Sequence, residues 1–358
     1  MKKYEHLQTD IIITLGPSSN FYGVLVKAFL NGVRIVRRGL AYGTLESQAD
    51  LLNMIIAAAQ EVGIEPCILD DSPGSRARLG SEVIVYRAKI GETIQLFLDT
   101  VEVTRTKIPT KGLGRFINHL QIGDSLLIAD GQIKLRISEK LTDRLICIVE
   151  ASGQPFRPNR SINFPDSGVR YSCLTEADVD NLRRSATLPQ VKYFGLSFLE
   201  DPNDVLRAKQ IISTTNPSSE LKIVAKIETK RGIINLNEIA KVTDCLMAAR
   251  GDLKLEAPYH ELLSNQLNII NTARRYNKYC IIATQLLDSM LNSLVPSASD
   301  ITALGYTVLC GADAVMVSEE TAIGEYPLET LKVMHNIILA AEKLKRRSNF
   351  LFQTGLME

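Results

Sequence analysis

Short apolar, β-rich runs alternate with amphipathic helical stretches along most of the chain. That alternation predicts parallel βα units. Strands are predicted over 10–15, 34–37, 66–70, 193–198, 222–228, 245–249, 280–284 and 314–318. Eight is the number that closes a barrel. Helices are predicted between them, over 21–31, 45–62, 176–184, 201–213, 259–276, 298–310 and 328–345.

One stretch breaks this rhythm. From about residue 81 to 158, strand follows strand, at 93–98, 125–128, 134–137 and 145–150, with turn signals at Lys111-Gly112, Gly123-Asp124 and Asp130-Gly131 between them. This predicts a small all-β domain inserted after the third barrel strand, with Pro155, Pro158 and Pro165 marking the return path. The expected fold class is α/β: a (β/α)8 TIM barrel with a small inserted all-β barrel domain. The barrel takes residues 1–80 and 159–345, the insert 81–158, and a short basic tail 346–358.

Length agrees, since 358 residues exceed the ~250 of a TIM barrel and leave room for a second unit. A net charge of +1 gives no reason to expect nucleic acid or an anionic membrane as partner. No apolar run approaches the ~20 residues of a membrane span, and no apolar segment follows the N-terminal Met1-Lys2-Lys3, so no signal peptide is expected. The six cysteines show no C-x-x-C spacing and mostly sit in apolar runs, as buried thiols of a cytoplasmic protein would. Four scattered histidines offer no metal site or triad.

In such a barrel the chemistry sits where strands end. The first predicted strand ends in Thr14-Leu15-Gly16-Pro17-Ser18, the second in Arg37 and the third in Asp70-Asp71-Ser72. The fifth carries Lys226 and Glu228, which share a face because strand side chains alternate. The sixth runs into Arg250-Gly251-Asp252, the seventh ends in Thr284-Gln285 and the eighth in Ser318-Glu319-Glu320-Thr321. Singly, a strand-end lysine is usually a solvated rim charge and an aspartate after glycine a turn residue. Together they converge on one mouth. Glu228 and Asp252 are two hard oxygen ligands, and two carboxylates with substrate oxygens and water commonly hold magnesium. Arg37 and Lys226 suit a phosphate and a developing oxyanion. The residues alone point to a magnesium-assisted reaction of an anionic, phosphorylated substrate.

Longer segments resemble the pyruvate kinase family. Ile12-Ile13-Thr14-Leu15-Gly16-Pro17-Ser18 is similar to its opening strand, and Ala225-Lys226-Ile227-Glu228 to its lysine and metal-ligand strand. Ala248-Ala249-Arg250-Gly251-Asp252-Leu253-Lys254-Leu255-Glu256 resembles its second metal-ligand motif. Ile282-Ala283-Thr284-Gln285-Leu286-Leu287-Asp288-Ser289-Met290, Gly311-Ala312-Asp313-Ala314-Val315-Met316-Val317-Ser318 and Gly324-Glu325-Tyr326-Pro327-Leu328-Glu329 match in order, and the likeness runs from about residue 10 to 345. It implies that Glu228 and Asp252 hold Mg2+ or Mn2+, and that Lys226 stabilises the transferred phosphoryl group and the enolate oxygen. It also implies that Arg37 binds the substrate phosphate, that Arg78 contacts a nucleotide phosphate, and that the amides of Gly251 and Asp252 with the Thr284 hydroxyl hold the substrate carboxylate. Thr284 would lie in the proton path. The substrates implied are phosphoenolpyruvate or pyruvate and ADP or ATP, with the insert closing over the mouth.

The chain departs from the family in three ways. Gly39 and Ala41 stand where the monovalent-cation site takes Asn and Ser, although Asp71 and Ser72 survive. The family's glutamate in the third-strand loop is Arg76, whose guanidinium could replace the bound ion, so potassium is not expected to be required. Tyr42 replaces a histidine, Lys254 and Glu319 replace glycines, and Pro296-Ser297-Ala298-Ser299-Asp300 differs from the family's loop, which puts ordinary use of ADP or ATP in question. Third, the resemblance implies absence of the C-terminal domain that carries the effector site and part of the tetramer contact, so a monomer or homodimer is expected. Three readings follow: a potassium-independent phosphotransferase, an enzyme of magnesium-dependent enolate chemistry on pyruvate or an analogue in specialised biosynthesis, and a non-catalytic binding relative.

Overall fold

The computed structural model describes residues 7–99 and 101–347. The first six residues and the tail beyond Arg347 lie outside the described residues, so the sequence reading of both ends is not addressed there.

Eight parallel strands close a barrel: Asp10–Thr14, Ile35–Gly39, Cys67–Asp71, Val191–Leu196, Lys222–Ile227, Cys245–Ala249, Tyr279–Ala283 and Ala314–Val317. Each pairs with its chain neighbours, and Asp10–Thr14 closes the ring against Ala314–Val317. All eight predicted strands are present, Cys245–Ala249 with the predicted bounds and the others within two residues at either end. Side-chain alternation divides them between two cores. Ile11 and Ile13 face the surrounding helices, whereas Ile12 joins Ile35, Leu69, Val224, Met247, Ile281 and Met316 inside the ring. Both faces are dry, which is why these strands read as unbroken apolar runs. Burying each such side chain stabilises the fold by ~1.5–3 kcal/mol.

The same alternation places the polar ends. Two residues beyond Ile35 the inner face carries Arg37; beyond Leu69 it carries Asp71; beyond Val224 it carries Lys226 and then Glu228. The intervening residues point outward, and there Arg38 and Asp70 form a buried ion pair at 2.8 Å beneath the helices.

The helices largely follow the predicted pattern. Leu45–Val62 starts on a Thr44–Ser47 capping box and stops at Gly63, whose φ of 75° ends the helix in the left-handed region. The predicted 259–276 helix is a 3₁₀ turn, Tyr259–Glu261, followed by Leu262–Arg275. Short helices Lys230–Ile234, Leu236–Val242, Arg250–Glu256 and Glu319–Ala322 were not predicted, being too short to show periodicity.

The break in rhythm is a second closed barrel of seven strands. It includes the predicted Thr93–Phe97, Ser125–Ile128, Ile133–Lys140 and Arg144–Ser152, and also Ala77–Leu79, Lys107–Lys111 and Ser161–Asn163. Its strands therefore extend from Ala77 to Asn163, beyond 81–158 at both ends. The outgoing strand Ala77–Leu79 and the returning Ser161–Asn163 are hydrogen-bonded to each other, with Ala77 opposite Ile162. The two chain crossings between the barrels thus run side by side. The six cysteines are free thiols, five buried and Cys67 half-buried. Among the described residues no helix is long and apolar enough to cross a membrane.

Candidate active site

The C-terminal ends of seven of the eight strands surround a cavity of about 540 Å³ that the inserted barrel overhangs, and Thr14, ending the first strand, lines the adjoining groove. Arg37, Arg76, Arg78, Lys226, Glu228, Gly251, Asp252 and Thr284 all line it, whereas the strand-end Asp70, expected at the same mouth, faces outward to Arg38. A wider groove of about 1010 Å³ continues from it past Tyr42, Pro17, Leu51 and Met54.

Lys226 is buried at the centre. Its Nζ lies 3.1 Å from Asp71 and 3.0 Å from Glu228, and donates to Ser197 Oγ at 2.6 Å. Burial disfavours its charge, but the Asp71 and Glu228 carboxylates outweigh that and raise its pKa. Asp71 also accepts from both Arg37 Nε, at 2.8 Å, and the Arg37 terminal nitrogen. Burial pushes Asp71 up, and the Arg37 and Lys226 cations more than reverse this, holding it below the usual carboxylate value. Gly195 is required beside it: a Cβ there would stand 2.7 Å from Asp71 Oδ1.

Glu228 and Asp252 come from the ends of neighbouring strands and sense each other's charge. Burial raises Glu228, against the pull of Lys226, with Asp252 adding repulsion. Asp252 is also pushed up by burial but is brought below its usual value by Arg76 and Lys226. Such a pair of hard oxygen donors fits a divalent cation. Among the described residues no group of three or more His, Cys, Asp or Glu is placed to hold a metal, so a cation here would complete its shell with substrate oxygens and water. Arg76 does not turn to Asp71 and Ser72, the residues expected to remain from a monovalent-cation site. It pairs with Asp252 and lies 4.7 Å over the Phe198 ring.

Opposite Lys226, the Gly251 amide donates to Thr284 Oγ1 at 2.7 Å. Thr284 and Gln285 hold φ of 67° and 55°, a conformation that a β-branched residue adopts only under constraint. The constraint is Arg250, a buried side chain whose guanidinium donates to the carbonyls of both, to Thr284 at 2.5 Å and to Gln285 at 2.6 Å.

Sequence reasoning missed several participants. The end of the fourth strand supplies Ser197, and Phe198, whose φ of 56° lets its amide donate to Glu228 Oε2 at 2.6 Å. Its position at a strand end was the available signal. Asn163, Tyr171 and Glu256 meet behind Asp252, and no local pattern marks them. Burial pushes Glu256 up to about 7. Glu319 opens the helix Glu319–Ala322, lines the cavity and pairs with Arg160 of the inserted barrel at 3.9 Å. Residues 296–300 line neither cavity: Ser297 caps the helix Ala298–Cys310 by accepting from the Asp300 amide. Lys254 lines neither as well.

A parallel (β/α)8 barrel with a β-barrel inserted after its third strand, and with cations paired to carboxylates at its mouth, is the architecture of a phosphotransferase-type barrel enzyme. The sequence model described as pyruvate kinase, barrel domain, matches residues 6–331, and the chain belongs to the pyruvate kinase family. It is 32% identical over 337 residues to the pyruvate kinase of Thermotoga maritima, covering 94% of this chain and 71% of that one. To that of Methanocaldococcus jannaschii it is 34% identical over 344 residues, covering 94% and 70%. Among solved structures, Cryptosporidium parvum pyruvate kinase in complex with ADP superimposes with a TM-score of 0.89 at 29% identity, covering 96% of this chain and 69% of that one.

Proposed function

We propose that this protein transfers a phosphoryl group between phosphoenolpyruvate and a nucleoside diphosphate, with a divalent cation and without potassium. The central support is Lys226, held between Asp71 and Glu228 opposite the Gly251–Thr284 corner. Phosphoryl transfer requires mainly positioning and charge neutralisation. Arg37 receives the substrate phosphate. Lys226 neutralises charge on the transferred group and on the enolate oxygen. On substrate binding, the Gly251 amide and the Thr284 hydroxyl exchange their bonds to Thr284 Oγ1 and the Ala283 carbonyl for the carboxylate, which the Asp252 amide also holds, and Thr284 stands in the proton path to the enolate carbon. Arg78 and Arg160, both on the cavity wall, face the nucleotide phosphates. Bound at Glu228 and Asp252, Mg2+ or Mn2+ would neutralise substrate oxygens.

Charge balance supports independence from potassium. Arg37, Arg76 and Lys226 are paired directly with Asp71, Glu228 and Asp252, so each of these carboxylates already has a cation beside it before any ion enters. Asp71 is already paired twice, and the Ser72 hydroxyl oxygen accepts from the Ser197 amide at 3.3 Å.

The test is a coupled assay of the purified protein with phosphoenolpyruvate, Mg2+ and a panel of nucleoside diphosphates, in sodium or potassium salts. Turnover unaffected by potassium is expected. Absence of turnover with every diphosphate, together with solvent deuterium entering pyruvate in the absence of nucleotide, would reject phosphoryl transfer in favour of enolate chemistry.

A further inference from the structure

Each of the two chain crossings that carry the inserted barrel sends one side chain to Asp252. Arg76 precedes the outgoing strand and pairs with one carboxylate oxygen. Asn163 ends the returning strand and donates to the other, Oδ1, at 3.2 Å. The same amide nitrogen donates to Glu256 Oε1 at 2.8 Å. Asp252 and Glu256 lie one turn apart on Arg250–Glu256, which brings both carboxylates to one side. Glu256 Oε1 further accepts from Tyr171 Oη at 2.7 Å and from the Phe164 amide at 3.3 Å. The Tyr171 ring stacks at 4.5 Å on Phe198, whose amide holds Glu228.

Asn163 and Glu256 are almost wholly buried, so water does not substitute for these bonds. An amide NH2 has two hydrogens, and here both are directed at carboxylates. Rotated by half a turn, Asn163 would set its own oxygen against the Asp252 carboxylate and against the Glu256 oxygen that already accepts from Tyr171 and the Phe164 amide. Glu256 therefore fixes which way the amide points, and the amide fixes Asp252.

Resting on the reading of Glu228 and Asp252 as metal ligands, we infer that Asn163 and Glu256 are positioning residues. Glu256 orients the Asn163 amide, Asn163 orients the Asp252 carboxylate, and the affinity for a divalent cation is thereby tied to the seating of the inserted barrel. Partners of this kind around a metal ligand typically carry 10- to 100-fold in affinity.

The experiment is a Mn2+ titration of the full chain followed by electron paramagnetic resonance, without substrates. Glu228→Gln and Asp252→Asn should weaken binding; Mn2+ affinity unchanged in both would overturn the metal reading and this inference with it. With those weakened, Asn163→Ala and Glu256→Leu are expected to lower affinity at least ~10-fold. Glu256→Gln, which keeps an acceptor oxygen for Asn163, is expected within about threefold of the parent. Affinity in Asn163→Ala within about twofold of the parent, or Glu256→Gln as weak as Glu256→Leu, would overturn the inference alone. Should Asn163→Ala fail to fold, Asn163→Leu, which refills the space, is judged by the same threshold.

Discussion

Arg76 is ion-paired to Asp252, a carboxylate 176 positions away in sequence, and both side chains are largely buried. The cation at the position of the family's glutamate thus lies against a carboxylate proposed above to hold the divalent cation, and not beside Asp71 and Ser72. Asp252 and Glu228 together hold the Arg76 pKa up against the effect of burial.

In the proposed site, Arg76 competes with the divalent cation for the charge of Asp252. Arg76→Leu is expected to bind Mn2+ more tightly, by ~10-fold, because a fixed cation beside the ligand has been removed. Its turnover should fall, and replacing sodium with potassium should restore none of it. Calorimetric titration and steady-state rates read both effects; weaker Mn2+ binding would contradict the competition.

Lys226 is the cation most deeply enclosed by the cluster. Lys226→Met should lower kcat by at least ~10²-fold, the usual loss when one charge-stabilising donor is removed. The fold should persist, since Arg37 still pairs with Asp71. Full activity in a variant with unchanged circular dichroism would remove the core of the proposed function.

Thr284 couples strain to function. Thr284→Gly removes the penalty of a positive φ, ~1–3 kcal/mol, which offsets the lost hydrogen bond from Gly251. Its stability should stay within about 1 kcal/mol of the parent. Thr284→Val keeps the strain and loses the bond, and should be the less stable of the two despite its closer shape. Both should lose turnover. Urea unfolding decides; Val more stable than Gly would show that the backbone is not strained there.

Glu256 gives a signed pH dependence. Its carboxyl is raised by burial from 4.5 to about 7, so the folded protein keeps a proton that the unfolded chain releases. This contribution is present below pH ~4.5 and fades as pH rises to ~7. Glu256→Gln lacks it. The variant should therefore gain on the parent between pH 5 and pH 8, by at most ~3 kcal/mol. Parallel stability curves over that range would refute the raised carboxyl.

The sequence by itself determined the strand count and the residues at the mouth. Parallel strands buried on both faces leave unbroken apolar runs, and period-two alternation carries Arg37, Lys226 and Glu228 from the inner face to the open end. Leu45–Val62 was legible for a similar local reason, a capping box at one end and a glycine at the other. The inserted barrel was visible only in part. Ala77–Leu79 and Ser161–Asn163 are three residues each, too short for alternation to register, and they exist because they pair with each other across the chain. Partners were not legible at all. Asn163 meets Asp252 across 89 positions and Glu256 across 93, and Tyr171 meets Glu256 across 85. Only folding both barrels against one another brings these polar groups into a space without water. There each must find a partner within the protein, and that requirement selects contacts no local pattern encodes.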